Sequence, residues 1–150
     1  MLGEDGEELS GLQIYMVGIK GTGMAALAEL LHGDGVQLSG SDVADTFFTE
    51  EILKKHGIPF SEGFEASNVP KDTDLVIHSA AYDIHTHPEL LEAARLGIPA
   101  VNYTKALGLY SRHFHSSGIA GVHGKTTTTA MVGVLLRAMG FPFRILTGSV

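Results

Sequence analysis

A chain of 150 residues with 44% hydrophobic and 18% charged side chains can bury one full core, which excludes a disordered tail. Its formal net charge of −7 excludes a general nucleic-acid binder, which needs a basic footprint, but not a nucleotide held locally by backbone donors. The absence of cysteine removes disulfides, thiolate catalysis and cysteine-based zinc sites together.

The chain opens on an acidic arm, residues 1–12, whose Gly3-Glu4-Asp5-Gly6-Glu7-Glu8 is unlike a signal segment. No apolar run reaches membrane-spanning length, so a cytoplasmic protein without membrane contact is expected. A strand over 14–17 then runs into Gly18-Ile19-Lys20-Gly21-Thr22-Gly23, which opens a helix over 24–32. Met24, Leu27, Ala28 and Leu31 share one face of that helix, and Gly33 and Gly35 stop it. The loop resembles a dinucleotide fingerprint with altered spacing: Lys20 stands where the second glycine would fall, while Gly21, Gly23 and Ala26 fit the pattern three residues late. A second strand over 36–38 leads to Ser41-Asp42, where an acidic residue commonly bonds a ribose hydroxyl. These features describe a cradle for a nucleotide diphosphate, NAD among the occupants it would suit. The alternative is a set of glycines needed only for tight helix–sheet packing.

The pattern of the next segment predicts a helix over 48–56, with Phe47, Phe48 and Ile52 in the core. Glu50-Glu51 and Lys54-Lys55 form a solvated face paired at i,i+4. Gly57-Ile58-Pro59 ends that helix, and the same glycine–apolar–proline stop recurs at Gly97-Ile98-Pro99 and Gly140-Phe141-Pro142. A strand over 75–77 carries Ser79-Ala80-Ala81 at its carboxyl end. A helix over 88–96 follows, with Leu90, Leu91 and Ala94 on its inner face and Glu92 and Arg95 outward. A strand over 100–101 and a short helix over 105–110 lead to Ser111–Ser117, a stretch that breaks the apolar periodicity and marks a boundary. Eight histidines invite a metal site at His85 and His87 or at His113 and His115, since residues two apart on a strand share a face. Without a third ligand at a telling spacing, both pairs are surface or boundary residues.

The last unit is a strand over 118–120, the loop Gly121-Val122-His123-Gly124-Lys125-Thr126-Thr127 and a helix over 126–139. Backbone N–H groups at a helix N-terminus, backed by the helix dipole, suit an anionic phosphate. Lys125 can reach terminal phosphates, a threonine hydroxyl can sit on Mg²⁺, and His123 can touch phosphate or orient its neighbours. The strict P-loop pattern wants a glycine where Ile119 stands, so the motif is a shortened variant.

Strands alternating with helices of this length predict an α/β fold: a Rossmann-like parallel sheet with helices on both faces. Residues 13–112 form that unit, and 113–150 begin a second, P-loop domain that cannot complete a sheet of its own. The chain is therefore expected to be the N-terminal part of a larger enzyme and inactive alone.

Both glycine loops, with Ser39-Gly40-Ser41-Asp42, Val76-Ile77-His78-Ser79-Ala80-Ala81 and His87-Pro88-Glu89 between them, resemble the Mur ligases over nearly the whole chain after the acidic arm. Departures are Lys20 for a usual Gly, His78 for Ser, Val122 for Thr and His87 for Asn. Lys20 would add a cation to the diphosphate site or point outward. The resemblance implies an ATP-dependent carbon–nitrogen ligase of peptidoglycan precursor synthesis. It would join L-alanine to UDP-N-acetylmuramate through an acyl phosphate, with ATP and Mg²⁺. Gly18, Lys20, Gly21, Thr22, Gly23, Ser41, Asp42, Ser79, Ala80 and Ala81 would bind the UDP substrate. Gly121, Val122, His123, Gly124, Lys125, Thr126 and Thr127 would bind ATP, with Lys125 catalytic and Thr126 the Mg²⁺ ligand. A peptide-joining relative and a nicotinamide-dependent oxidoreductase are the alternatives; the second leaves the Gly-Lys-Thr loop unexplained.

Overall fold

The computed structural model describes residues 9–147; most of the acidic arm, and residues 148–150 at the far end, lie outside the described residues. Five strands form one sheet: β1 (Gln13–Val17), β2 (Gln37–Asp42), β3 (Phe60–Glu62), β4 (Leu75–His78) and β5 (Ala100–Asn102). Their spatial order is β3-β2-β1-β4-β5, and every pairing is parallel. The helices are α1 (Thr22–Gly33), α2 (Glu50–Lys55), α3 (Pro88–Leu96), α4 (Tyr103–Ser111) and α5 (Lys125–Ala138), with a short 3₁₀ turn at Ala66–Asn68.

The period-2 alternation of a strand divides the core in two. Ile14 and Met16 of β1, with Leu75 and Ile77 of β4, face one layer, which receives Leu27, Ala28 and Leu31 of α1, Leu53 of α2 and Ala106 of α4. Tyr15 and Val17, with Val76, face the other, against Leu90 and Ala93 of α3 and Val69 beyond the 3₁₀ turn. Helices on both faces are what a parallel sheet requires, because neither face can be left to water. Leu9 and Leu12 close the lower edge of the first layer, so the end of the expected acidic arm belongs to the core.

Several expectations are corrected. Sequence periodicity missed β3: only Phe60 of its three residues is apolar, and it is half-buried. The strand over 118–120 does not form; those residues are exposed, and no neighbouring strand among the described residues offers a ladder. Phe48 is 71% exposed rather than core, because α2 begins at Glu50 and leaves it in the preceding loop. On α3 the inward residues are Leu90 and Ala93, whereas Leu91 is exposed and so is Ala94. Glu50, expected on a solvated face, is buried.

Candidate nucleotide-binding site

In an open parallel sheet, ligands collect beyond the carboxyl ends of the strands where the strand order reverses. Here β1 connects outward to β2 on one side, and β4 lies on its other side, so that point falls between β1 and β4. The loop after β1 is Gly18–Gly21, and the loop after β4 begins at Ser79. Two of the sequence-read loops are thereby brought together.

Gly18 leaves β1 with φ at +82°, a left-handed conformation that disfavours any side chain. Tyr82, from the β4 loop, lies across it: a Cβ on Gly18 would come 2.7 Å from the ring's Cε2. Tyr103, at the start of α4, covers Gly23 in the same way, with its ring and hydroxyl 2.9 Å from where a Cβ would stand. The glycine loop is therefore flanked by two partly exposed tyrosines that the sequence reading did not single out. The first helical bond of α1 runs from Ala25 N–H to Gly21 O at 2.8 Å, so the amides of Thr22, Gly23 and Met24 precede it. Gly21 offers no side-chain cap, and these donors point out of the helix terminus with the positive end of its dipole. Ser79 is half-buried and its hydroxyl accepts from Ala81 N–H at 3.3 Å, while Ala80 and Ala81 are exposed on the rim.

Two of the expected ligand residues, Ser41 and Asp42, also have partners within the chain. Ser41 is fully buried; its hydroxyl donates to Glu89 at 2.5 Å, and its carbonyl accepts from Gly18 and Ile19 N–H at 2.8 and 3.1 Å. It supports the loop from below. Asp42 is 4% exposed, and its carboxylate accepts from Lys20 N–H at 2.7 Å and Val43 N–H at 2.8 Å, with the Tyr82 hydroxyl 3.5 Å away. Burial first, and then the Asp42 charge, push the Tyr82 phenol above its ordinary range, so it stays protonated and donates.

Lys20 is the clearest departure from expectation. Its side chain neither points outward nor faces the glycine loop: it is fully buried, with Nζ 3.0 Å from Glu50, 3.1 Å from Glu62 and 3.1 Å from each of the Val43 and Asp45 carbonyls. Burial alone would lower the ammonium's pKa, but Glu50 and Glu62 outweigh it and the net shift is upward. Hydrogen bonds from Lys54 and then Lys20 hold the Glu50 carboxyl down to about 2.

Behind the site, Glu89 is buried and takes hydrogen bonds from Tyr15 Oη at 3.1 Å and Asn68 Nδ2 at 2.8 Å besides Ser41. His85 and His87 do not share a face. His85 is exposed in a turn, whereas His87 caps α3, is 7% exposed, and has no partner for either ring nitrogen among the described residues. Its ring packs between Phe64 and Tyr82, centroids 4.6 and 4.9 Å away. No group of three metal-ligating side chains exists among the described residues.

The second loop keeps its helix but not its strand. Gly124 caps α5, and the first i−4 bond is Thr128 N–H to Gly124 O at 2.8 Å, which leaves the Lys125, Thr126 and Thr127 amides ahead of it. Lys125 folds back so that Nζ donates to Gly121 O at 2.7 Å, and every residue from Gly121 to Thr127 is exposed. Exposed amides, a cation and a threonine hydroxyl fit a nucleotide triphosphate with Mg²⁺, which typically takes only one or two protein ligands beside phosphate.

A parallel five-stranded sheet in this order, with a glycine loop and free helix amides at its reversal point, defines a Rossmann-like nucleotide-binding fold. The chain belongs to the Mur ligase family: residues 13–115 match the family described as "Mur ligase family, catalytic domain". It is 50% identical over 143 residues, 95% of this chain, to the UDP-N-acetylmuramate–L-alanine ligase of Treponema pallidum, and 42% identical over 139 residues to the enzyme of that name in Borreliella afzelii. The chain spans about 30% of the length of these relatives. The UDP-N-acetylmuramate-alanine ligase of Thermotoga maritima superposes with a TM-score of 0.77 at 32% identity, covering 86% of this chain and 30% of that one. A peptide-adding relative, the UDP-N-acetylmuramate:L-alanyl-gamma-D-glutamyl-meso-diaminopimelate ligase of Neisseria meningitides, gives 0.76 at 29%, over 86% of this chain and 40% of that one. Among the described residues no helix is long and apolar enough to cross a membrane.

Proposed function

We propose that this chain supplies the UDP-binding unit and the ATP loop of an ATP-dependent ligase that joins L-alanine to UDP-N-acetylmuramate in the cytoplasm. The observation that carries the reading is 50% identity over 95% of the chain to an enzyme of that name. The fold alone does not choose between alanine and peptide as the group added, since the alanine and peptide ligases superpose almost equally well.

In this reading the Thr22, Gly23 and Met24 amides receive the diphosphate, with Gly18 and Gly21 shaping the approach and Ser79, Ala80 and Ala81 forming the facing rim. Tyr82 and Asp42 stand beside the nucleoside. The second loop, with Lys125, holds the triphosphate of ATP. A carboxylate attacking a polyanion is slowed by charge repulsion; Lys125 and the α5 amides offset that repulsion and stabilise charge as the γ-phosphate transfers. The resulting acyl phosphate is attacked by the alanine amine, phosphate leaves, and the amide remains. Thr126 would hold Mg²⁺, which supplies further neutralisation of the phosphates.

The test is Lys125→Ala in the intact protein. ATP-, UDP-N-acetylmuramate- and alanine-dependent phosphate release should fall by about a thousandfold or more, while UDP binding measured calorimetrically stays within experimental error. Unchanged turnover would refute the assignment.

A further inference from the structure

We propose that Lys20 is a positioning residue for the nucleotide crevice: from beneath the glycine loop it holds the β2–α2 loop and the end of β3 in the arrangement that receives the nucleoside half of the UDP substrate, without touching the ligand. The inference rests on the nucleotide reading above and adds a specific determinant of substrate affinity.

All of this residue's polar groups are used, and each reaches a different segment. The backbone N–H donates to Asp42 at the end of β2, and the carbonyl accepts from the Thr49 hydroxyl just before α2. The ammonium holds the Val43 and Asp45 carbonyls within the intervening loop, Glu50 in α2 and Glu62 at the end of β3. Phe60 and Phe47 face the same ammonium, ring centroids 5.1 and 6.0 Å away. One side chain thus joins the loop after β1 to the loop after β2, the two that flank a nucleotide in a sheet of this order.

Charge points the same way. Without Lys20, two carboxylates and two carbonyl dipoles would converge beneath the glycine loop, with Lys54, paired to Glu50, the one other cation bonded to them among the described residues. Backbone carbonyls that lose a buried donor reorganise toward water, and the loop that carries them moves with them. The cation therefore acts on the ligand in two indirect ways, by fixing a wall and by cancelling a field that would repel phosphate.

Lys20→Met in the intact protein, assayed well below its melting temperature, should raise KM for the UDP substrate about tenfold or more while kcat and KM for ATP are unchanged. Thr49→Val removes one anchor of the same loop with little change of shape and no change of charge. It should raise the same KM about threefold and serves where Lys20→Met does not fold. A lowered melting temperature with unchanged KM in either folded variant would overturn the proposal, since a merely structural lysine predicts that pattern. UDP alone is the probe that separates the two readings. Wild-type protein that does not bind it overturns the nucleotide assignment and this inference with it, whereas wild-type and Lys20→Met binding equally overturns only the role of Lys20.

Discussion

Ser41 donates its hydroxyl to Glu89 across 2.5 Å, tying the end of the second strand to the first turn of α3, 48 residues further on. Tyr15 from β1 and Asn68 from the 3₁₀ turn donate to the same carboxylate, so one buried anion gathers three elements under the nucleotide crevice. Its place in the first turn of a helix also sets it against the positive end of the dipole. Glu89→Ala would take their shared acceptor from the buried Ser41 and Tyr15 hydroxyls, while the half-buried Asn68 keeps its bond to Gly63 O, and is expected to cost about 3 kcal/mol or more. Ser41→Ala should cost about 1–3 kcal/mol. Urea denaturation of both variants checks the ranking; an Ala at 89 milder than an Ala at 41 would contradict the network.

Gly18 and Tyr82 make a second pair. Gly18→Ala meets both the positive φ and the ring, and should cost about 1–2 kcal/mol while weakening UDP binding about tenfold. Adding Tyr82→Ala removes the clash but not the backbone strain, so the double variant should recover part of the stability. Full recovery would show that the strain at φ +82° is not real.

His87 makes stability depend on pH. Burial lowers its pKa below the ordinary 6.5, opposed in part by the Glu89 charge and assisted to a lesser degree by His78. The unfolded chain therefore takes up the proton more readily than the folded one, and stability falls as pH drops below 6.5. Above that value His87 is neutral in both states and contributes no slope. His87→Phe, which keeps a ring against Phe64 and Tyr82 and removes two unpaired nitrogens, should flatten the loss below pH 6.5. It should be neutral or stabilising at pH 7.5. Melting curves across this range are the measurement, and an unaltered slope would refute the assignment.

Arg144 reaches back from the segment after α5 to hold Asp34 with both guanidinium nitrogens at 2.5 Å and lies over the Phe114 ring. Its hydrogen bond is the main reason the Asp34 carboxyl is held below its ordinary 3.8. Arg144→Ala should let that pKa rise toward 3.8, seen by NMR titration. The loss of stability should be about 1 kcal/mol because the pair is partly exposed. It should be present at neutral pH and vanish once Asp34 is protonated in both states.

Much of the architecture was legible locally. Helix stops at Gly57 and Gly97, the apolar runs of β1 and β4 and the amphipathic face of α1 carry their own signals, since periodicity and turn chemistry act within a few residues. β3 escaped because a short edge strand with one apolar residue has almost no periodicity to read. The strand over 118–120 was expected because an apolar triplet reads the same whether or not a neighbour is there to pair with it.

By itself the sequence determined the α/β alternation, the two glycine loops and the family, because each depends on residue type and spacing along the chain. Only the tertiary structure decided what the polar residues around the first loop do. It turned Lys20 inward to Glu50 and Glu62, spent the Ser41 hydroxyl on Glu89, and laid Tyr82 over Gly18. Burial and pairing are settled by segments that meet from 30 to 64 residues apart, and a buried lysine carries the same letter as an exposed one.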